Sequence, residues 1–257
     1  MSQELVSIIT PSYNCSRYIG ETIESIQAQT YGNWELLITD DCSTDDSVNI
    51  ISRYASQDER IKLFQLDKNS GAGVARNNSI KESCGRYIAF CDSDDRWTPD
   101  KLERQIAVLN RVESGVVYSS YTTCDEDGVV NGIVVAYRTI SYLEILRDDS
   151  IGFLTCIYDT QKLGKLFMPT LRKRQDWGLK ILLLQKAGYA VGILEPLAIY
   201  RLRKNSLSNK KLNLIKYNVK VYREILNYGL IRAWCKFIFE FMPHYLAKKI
   251  RLRIINQ

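Results

Sequence analysis

Along the first hundred residues, short apolar runs alternate with stretches whose apolar positions recur every three or four residues. That alternation predicts a largely parallel sheet covered by helices. LVSIIT reads as a strand, PSYN as a turn, and the stretch from Ile19 to Gln29 as an amphipathic helix. WELLITD is a second strand ending on Asp40 and Asp41, and STDDSVNIISRYA reads as a helix with a serine or threonine N-cap. IKLFQL is a third strand, NSGAGVARNNSIKES a helix started by glycine, and YIAFCD a fourth strand. Polar residues thus collect at the carboxyl ends of successive strands, where open α/β sheets bind ligands.

From Gly115 to Tyr158 the chain is strand-rich, with GVV and NGIVV runs. RQDWGLKILLLQKAG then reads as an amphipathic helix closed by Gly188. Beyond IYRLRKNSLSNKK the chain turns helical and basic, which places a boundary near Lys204 between a domain over 1–204 and an extension over 205–257. There is no internal repeat and no low-complexity linker.

Charge divides the chain at the same place. Fourteen Lys and Arg stand against Glu224 and Glu240 from Arg201 to Gln257, so this tail carries +12 of a total of +6 and residues 1–200 carry −6. LIRAWCKFIFEFMPHYLAKKIRLRII mixes aromatic and aliphatic residues with Lys and Arg, which suits a helix lying in a membrane interface on anionic lipid. Its apolar load is high for a nucleic-acid-binding arm, so no nucleic-acid partner is expected. A basic helix packed on the body is the plainer alternative. Seven scattered cysteines, with no C-x-x-C pair, argue against a disulfide framework or a zinc site and fit a reducing cytosol. No secretion signal or apolar stretch of ~20 residues is evident, so the expected location is cytoplasmic, peripheral to the inner face of the plasma membrane.

The chemistry is concentrated in YIAFCDSDDRWTPD. Asp92, Asp94 and Asp95 fall where an apolar strand stops, and three carboxylates within four residues repel one another unless a cation joins them. Oxygen ligands favour Mg2+ or Mn2+, ions that reach proteins through one or two carboxylates plus substrate phosphates. A diphosphate-bearing substrate follows. The alternative is an acidic turn capping the helix that begins near Pro99.

Together these segments resemble the family 2 glycosyltransferases with the GT-A fold, over about residues 5 to 210. VSIITPSYN resembles that family's opening strand and nucleotide-binding turn, and LLITDDCSTDDS its second strand and acidic loop. NSGAGVARNNSI is similar to its central helix, FCDSDDRW to its metal-binding D-x-D segment, and RQDWGLKILL to the stretch carrying its catalytic base. The resemblance implies a mixed, mostly parallel sheet flanked by helices, a nucleotide-sugar donor, most simply a UDP-sugar, and a metal ion.

Pro11, Tyr13 and Asp41 are suited to hold a nucleotide base. By resemblance Asp41 meets uracil, with the adjacent Asp40 not separable from it. Gly71 and Gly73 would let backbone approach the sugar-phosphate, with Arg76 available for a phosphate or a neighbouring aspartate. Asp92 and Asp94 match the D-x-D pair, Asp94 for direct metal contact, and Asp95 suits sugar hydroxyls. Asp176 matches the base that takes the acceptor proton in an inverting transfer, or else caps the helix beginning at Trp177. Gln175 stands where the family usually has Glu and would tune acceptor hydrogen bonding. Arg203 stands where a histidine is common, and Arg201 and Arg203 would clamp the diphosphate or form a solvated basic face. The expected acceptor is a lipid-linked glycan for O-antigen or capsule, with a polyprenyl phosphate or a protein as alternatives. A nucleotidyltransferase would need a glycine-rich basic loop after the first strand, which PSYNCSRYIG lacks. A non-catalytic partner at a membrane assembly would bind donor without turnover.

Overall fold

The computed structural model describes residues 3–203 and 211–246, the last group from 211 to 214 by backbone only. The strands are β1 (Val6–Ser12), β2 (Trp34–Asp40), β3 (Ile61–Gln65), β4 (Tyr87–Phe90), β5 (Arg96–Trp97), β6 (Val116–Cys124), β7 (Val130–Val134), β8 (Thr139–Ser141), β9 (Ile157–Asp159) and β10 (Tyr189–Arg201). The helices are α1 (Ile19–Gln27), α2 (Ser47–Gln57), α3 (Ala72–Glu82), α4 (Lys101–Leu109), α5 (Tyr142–Ile145), α6 (Thr160–Leu163), α7 (Gln175–Ala187), α8 (Lys211–Glu224) and α9 (Leu230–Lys236), with a π-helical turn at Phe237–Phe241. One mixed sheet has the order β3-β2-β1-β4-β9-β6-β10-β5, with β7 beside β6 and β8 beside β10. The parallel neighbours are β3–β2–β1–β4 and β6–β10, and β9 enters antiparallel between β4 and β6.

Helices cover both faces, which is why the central strands read as continuous apolar runs. Along β1 and β2 successive side chains go to opposite sides. Val6, Ile8, Leu36 and Ile38 join Ile19, Ile23, Ile51 and Leu102 in one cluster, while Ile9 and Leu37 join Ile80, Trp177 and Leu184 in the other. That second cluster also takes in Val219, Tyr222, Ala233, Phe237 and Phe241, so α8, α9 and the π-turn bury one side against α7. The boundary expected at Lys204 lies outside the described residues, as do 247–257 of the basic tail.

Three local expectations change. PSYN is not all turn: β1 runs through Ser12, and Pro11 lies buried opposite Thr39. Strand geometry turns its missing N–H toward β4, where pairing has already stopped at Ile9 and Phe90, so no ladder bond is lost. Helix α2 starts at Ser47 without a Ser or Thr cap, because Ser43 bonds back to Asp40 and Asp45 accepts the Ser47 N–H. Finally, α7 is not amphipathic. Trp177, Gly178, Leu179, Lys180, Ile181, Leu183 and Leu184 are all buried, since the sheet lies on one side and the C-terminal helices on the other.

Lys101, at the start of α4, is fully buried, donates to Gln105 Oε1 at 2.7 Å and sits 3.7 Å from the centre of the Trp97 ring. Burial pushes its ammonium down to about 7 from 10.5. The folded chain therefore binds fewer protons than the unfolded one between these values, and stability rises with pH across that window. The slope approaches ~1.4 kcal/mol per pH unit. Urea midpoints at pH 6, 8 and 9.5 should climb in the natural chain and flatten in Lys101→Met; parallel curves would refute the assignment.

Candidate active site

The carboxyl ends of β1, β2 and β4 and the start of α3 converge on one edge of the sheet. The β1 and β2 loops are laced together: Asn14 N–H donates to Ser43 Oγ at 2.9 Å, and Thr44 N–H donates to Asn14 Oδ1 at 2.8 Å. Asn14 and Cys42 adopt left-handed backbone, at φ 46° and 64°, one residue after Tyr13 and Asp41. Non-glycine residues held there mark a turn whose shape the surroundings enforce. Tyr13 is exposed and its ring is available beside this turn, whereas the buried Pro11 is not.

The two adjacent acids are both buried and fasten different segments. Asp40 is buried and accepts from Ser12 Oγ at 2.9 Å and from the N–H and hydroxyl of Ser43 at 2.7 and 2.6 Å. It ties β1 to the β2 loop. Asp41 accepts the N–H groups of Ser70 and Gly71 at 2.6 and 2.7 Å, joining β2 to the start of α3. Gly71 has φ +92° with open space where a Cβ would stand. Gly73 does not present open backbone: a Cβ there would lie 1.8 Å from Gln175 Oε1. Gln175 lies directly over the first turn of α3 and fills the place expected for sugar-phosphate.

The acids after β4 each find a different cation or donor. Asp92 pairs with Arg76, Asp94 Oδ2 lies 3.2 Å from Arg203, and buried Asp95 accepts the Arg201 N–H at 2.9 Å. None of them caps α4, whose first turn follows Asp100, so the capping alternative does not hold. Burial first, and Asp92 beside it, hold the Asp94 carboxyl above its usual range. Burial and the charges of Asp94 and Asp92 push Asp95 up further. Asp95 Oδ2 is buried with no hydrogen-bond partner. A cation would relieve the repulsion, and the partly exposed carboxylates of Asp92 and Asp94 can reach one, so these two residues fit a divalent ion. Among the described residues no three His, Cys, Asp or Glu side chains group as a complete cage. An ion here would draw its remaining ligands from substrate phosphates or water.

Arg201 is not at the surface. Its side chain is 1% exposed and donates to Asp94 O, Glu126 O and Glu21 Oε2 at 3.0, 3.0 and 2.7 Å. It fixes the aspartate segment from behind and is no phosphate clamp. Arg203 is 36% exposed and remains available; both guanidinium groups lie over the Tyr18 ring, at 4.7 and 5.4 Å.

Asp176 sits in the first turn of α7 with its side chain 38% exposed. Behind it is a charged network that sequence reading missed. Lys180, 2% exposed, lies 2.5 Å from Asp149 and 3.6 Å from Asp176, and donates to Ile151 O at 2.9 Å. Arg174, left-handed at φ 65°, reaches Asp149 at 3.2 Å. Burial works to raise the Asp176 carboxyl, but Lys180, Arg174 and Arg76 outweigh it and hold it below its usual range. Arg76 and Lys180 also lie near the same ring, 5.1 and 5.8 Å from the centre of Phe153. The acid cluster and Asp176 are thus linked through Arg76, which pairs with Asp92 and also acts on Asp176, although 81 positions separate Asp95 and Asp176. The i,i+4 spacing of Asp176 and Lys180 was the one signal in the sequence; nothing marked Asp149 as their partner. Lys180→Met leaves Asp149 buried without its main counter-charge and should cost about 3–5 kcal/mol in urea unfolding. Lys180→Met with Asp149→Leu should recover most of that loss, and a purely additive double variant would refute the pairing.

The family model described as Glycosyl transferase family 2 matches residues 7–160. TuaG of Bacillus subtilis (strain 168), whose name assigns it provisionally to teichuronic acid biosynthesis, is 41% identical over 90% of this chain and 92% of its own. WfgD of Escherichia coli, a UDP-Glc:alpha-D-GlcNAc-diphosphoundecaprenol beta-1,3-glucosyltransferase, is 35% identical over 91% of each chain. Among solved structures, the mannosyltransferase PcManGT of Pyrobaculum calidifontis, in complex with GDP-Man and Mn2+, superposes with a TM-score of 0.68. It is 16% identical, over 93% of this chain and 71% of its own.

Proposed function

The chain belongs to glycosyl transferase family 2, with the GT-A fold, and from that premise we propose an inverting, metal-dependent transfer of a hexose or N-acetylhexosamine from a UDP-sugar to a lipid-linked oligosaccharide. The observation that carries this reading is the joining of two unlike carboxylate settings through Arg76: the repelling acids Asp92 to Asp95, and an anionic, partly exposed Asp176. Asp94 and Asp92 would hold Mg2+ or Mn2+, which supplies a Lewis acid for the departing nucleoside diphosphate. Tyr13 and Asp41 line the place for the base, Arg76 and Arg203 offer guanidinium groups to phosphate oxygens, and Asp95 lies behind the sugar.

Asp176 accepts the proton of the acceptor hydroxyl as its oxygen attacks the anomeric carbon and the bond to the diphosphate breaks. One displacement on the face opposite the leaving group turns an α-linked donor into a β-linked product. The β-1,3 bond formed from UDP-Glc in the name of WfgD supports this reading, and its diphosphoundecaprenol acceptor supports the extension to a lipid diphosphate. A labelled UDP-sugar panel with a synthetic sugar-diphosphate lipid, with Mn2+ or with chelator, tests it. Retained α-configuration in the product, or equal turnover in chelator, would sink the mechanism.

We further propose peripheral attachment to the inner face of the plasma membrane. No described helix is long and apolar enough to cross a bilayer. Beside the buried faces of α9 and the π-turn, Ile231 and Phe239 are 81% and 74% exposed, with Leu230 and Ile238 near them. Arg232 adds positive charge to the same segment, while Lys236 is paired with Glu240. Deleting the tail would strip Tyr222, Phe237 and Phe241 from the core, so point changes are the cleaner test. Ile231→Glu with Phe239→Glu should release the protein from phosphatidylglycerol vesicles in a sedimentation assay; unchanged co-sedimentation would exclude this face.

A further inference from the structure

A cationic cavity between the segment leading into α7 and helix α8 takes no part in the donor site. Lys173, Lys216, Tyr217 and Lys220 line a space of about 300 Å³, with no acidic side chain among them. Lys216 and Lys220 stand one turn apart on α8, an i,i+4 pair of like charges that weakens a helix by itself. Lys220 also lies 6.0 Å from the centre of the Tyr217 ring. An anion held at Lys216 and Lys220 would replace their mutual repulsion by attraction.

The place of the cavity restricts the anion. Tyr222 of α8 packs edge-on against Trp177, the neighbour of Asp176, with ring centres 5.7 Å apart. A Cβ on Gly178 would meet Pro169 at 2.6 Å and Ile225 at 3.4 Å. The segment before α7, the first turn of α7 and the end of α8 are therefore packed as one unit. Lys173 precedes Asp176 by three residues, a chain distance of at most ~10 Å. That is about the reach of one sugar ring with the phosphate on its anomeric oxygen.

Resting on the lipid-linked acceptor read above, we propose that this cavity binds the acceptor's diphosphate, so that a single monosaccharide spans from it to the hydroxyl facing Asp176. The acceptor class is then a monosaccharyl diphosphate lipid. The anion is distinct from the donor's diphosphate, which belongs with Asp92 and Asp94. A concave site with three primary ammonium groups suits a diphosphate entering end-on better than the flat phosphate layer of a bilayer.

The test uses the full chain and Lys216→Gln with Lys220→Gln, two exposed positions whose change leaves the core untouched. The probes are an α-N-acetylglucosaminyl diphosphate bearing a short alkyl chain, its monophosphate analogue, and UDP with Mn2+, each titrated by calorimetry, and phosphatidylglycerol vesicles in a sedimentation assay. The variant should bind the alkyl diphosphate about tenfold more weakly or worse, with the monophosphate much less affected and UDP unchanged. Undiminished affinity for the diphosphate would overturn the proposal. So would a loss confined to phosphatidylglycerol vesicles, which would give the lysines to bilayer phosphates. A natural chain that binds the alkyl diphosphate through these lysines yet transfers no sugar to it would sink the acceptor reading and leave the binding site standing.

Discussion

Asp94→Ala is expected to abolish sugar transfer, by ~10²–10³-fold or more, and to remove metal-dependent UDP binding while the protein stays folded. The fold should tolerate the change because Asp94 is held among like charges. Burial and Asp92 disfavour its ionised form, and its pairing with Arg203 at 3.2 Å is partly exposed. Removing it relieves repulsion on Asp95 and forfeits an ion pair of small worth, so the urea midpoint should hold or rise slightly. Calorimetry of UDP with and without Mn2+ then separates lost metal binding from lost structure. Normal turnover in the variant would show that the ion, if any, sits elsewhere.

Asp176→Asn should keep donor affinity and lose ~10²–10⁴-fold in turnover, because asparagine preserves shape but cannot take a proton from the acceptor. Stability should change little, since Asp176 lies 3.6 Å from Lys180 while Asp149 remains closer. The cations around Asp176 keep it ionised at neutral pH, so its role does not depend on a proton being shed first. A variant that loses UDP binding in proportion to rate would place Asp176 in donor positioning, and one with unchanged turnover would move the base elsewhere.

Much of the fold was legible along the chain. Strands β1, β2, β3 and β4 and the glycine start of α3 announce themselves by local pattern, because each depends on neighbours two to four residues away. What failed were side chains with two possible partners. Ser43 looked like a helix cap and instead serves Asp40, and nothing local showed that Gln175 would cover Gly73. The apolar period of α7 suggested one wet face, yet α8, α9 and the π-turn cover it from 40 residues downstream.

The sequence by itself determined that acids would gather at the end of the fourth strand and that an aspartate would open a late helix, since both follow from residue order and backbone period. Only the tertiary structure decided which charges remain available for chemistry. Arg201 is withdrawn to Glu21, 180 positions away; Asp40 is tied to Ser12; and Lys180 finds Asp149. A charge takes whichever partner the fold brings within a few ångströms in a poorly solvated place, and that distance is not written in local pattern.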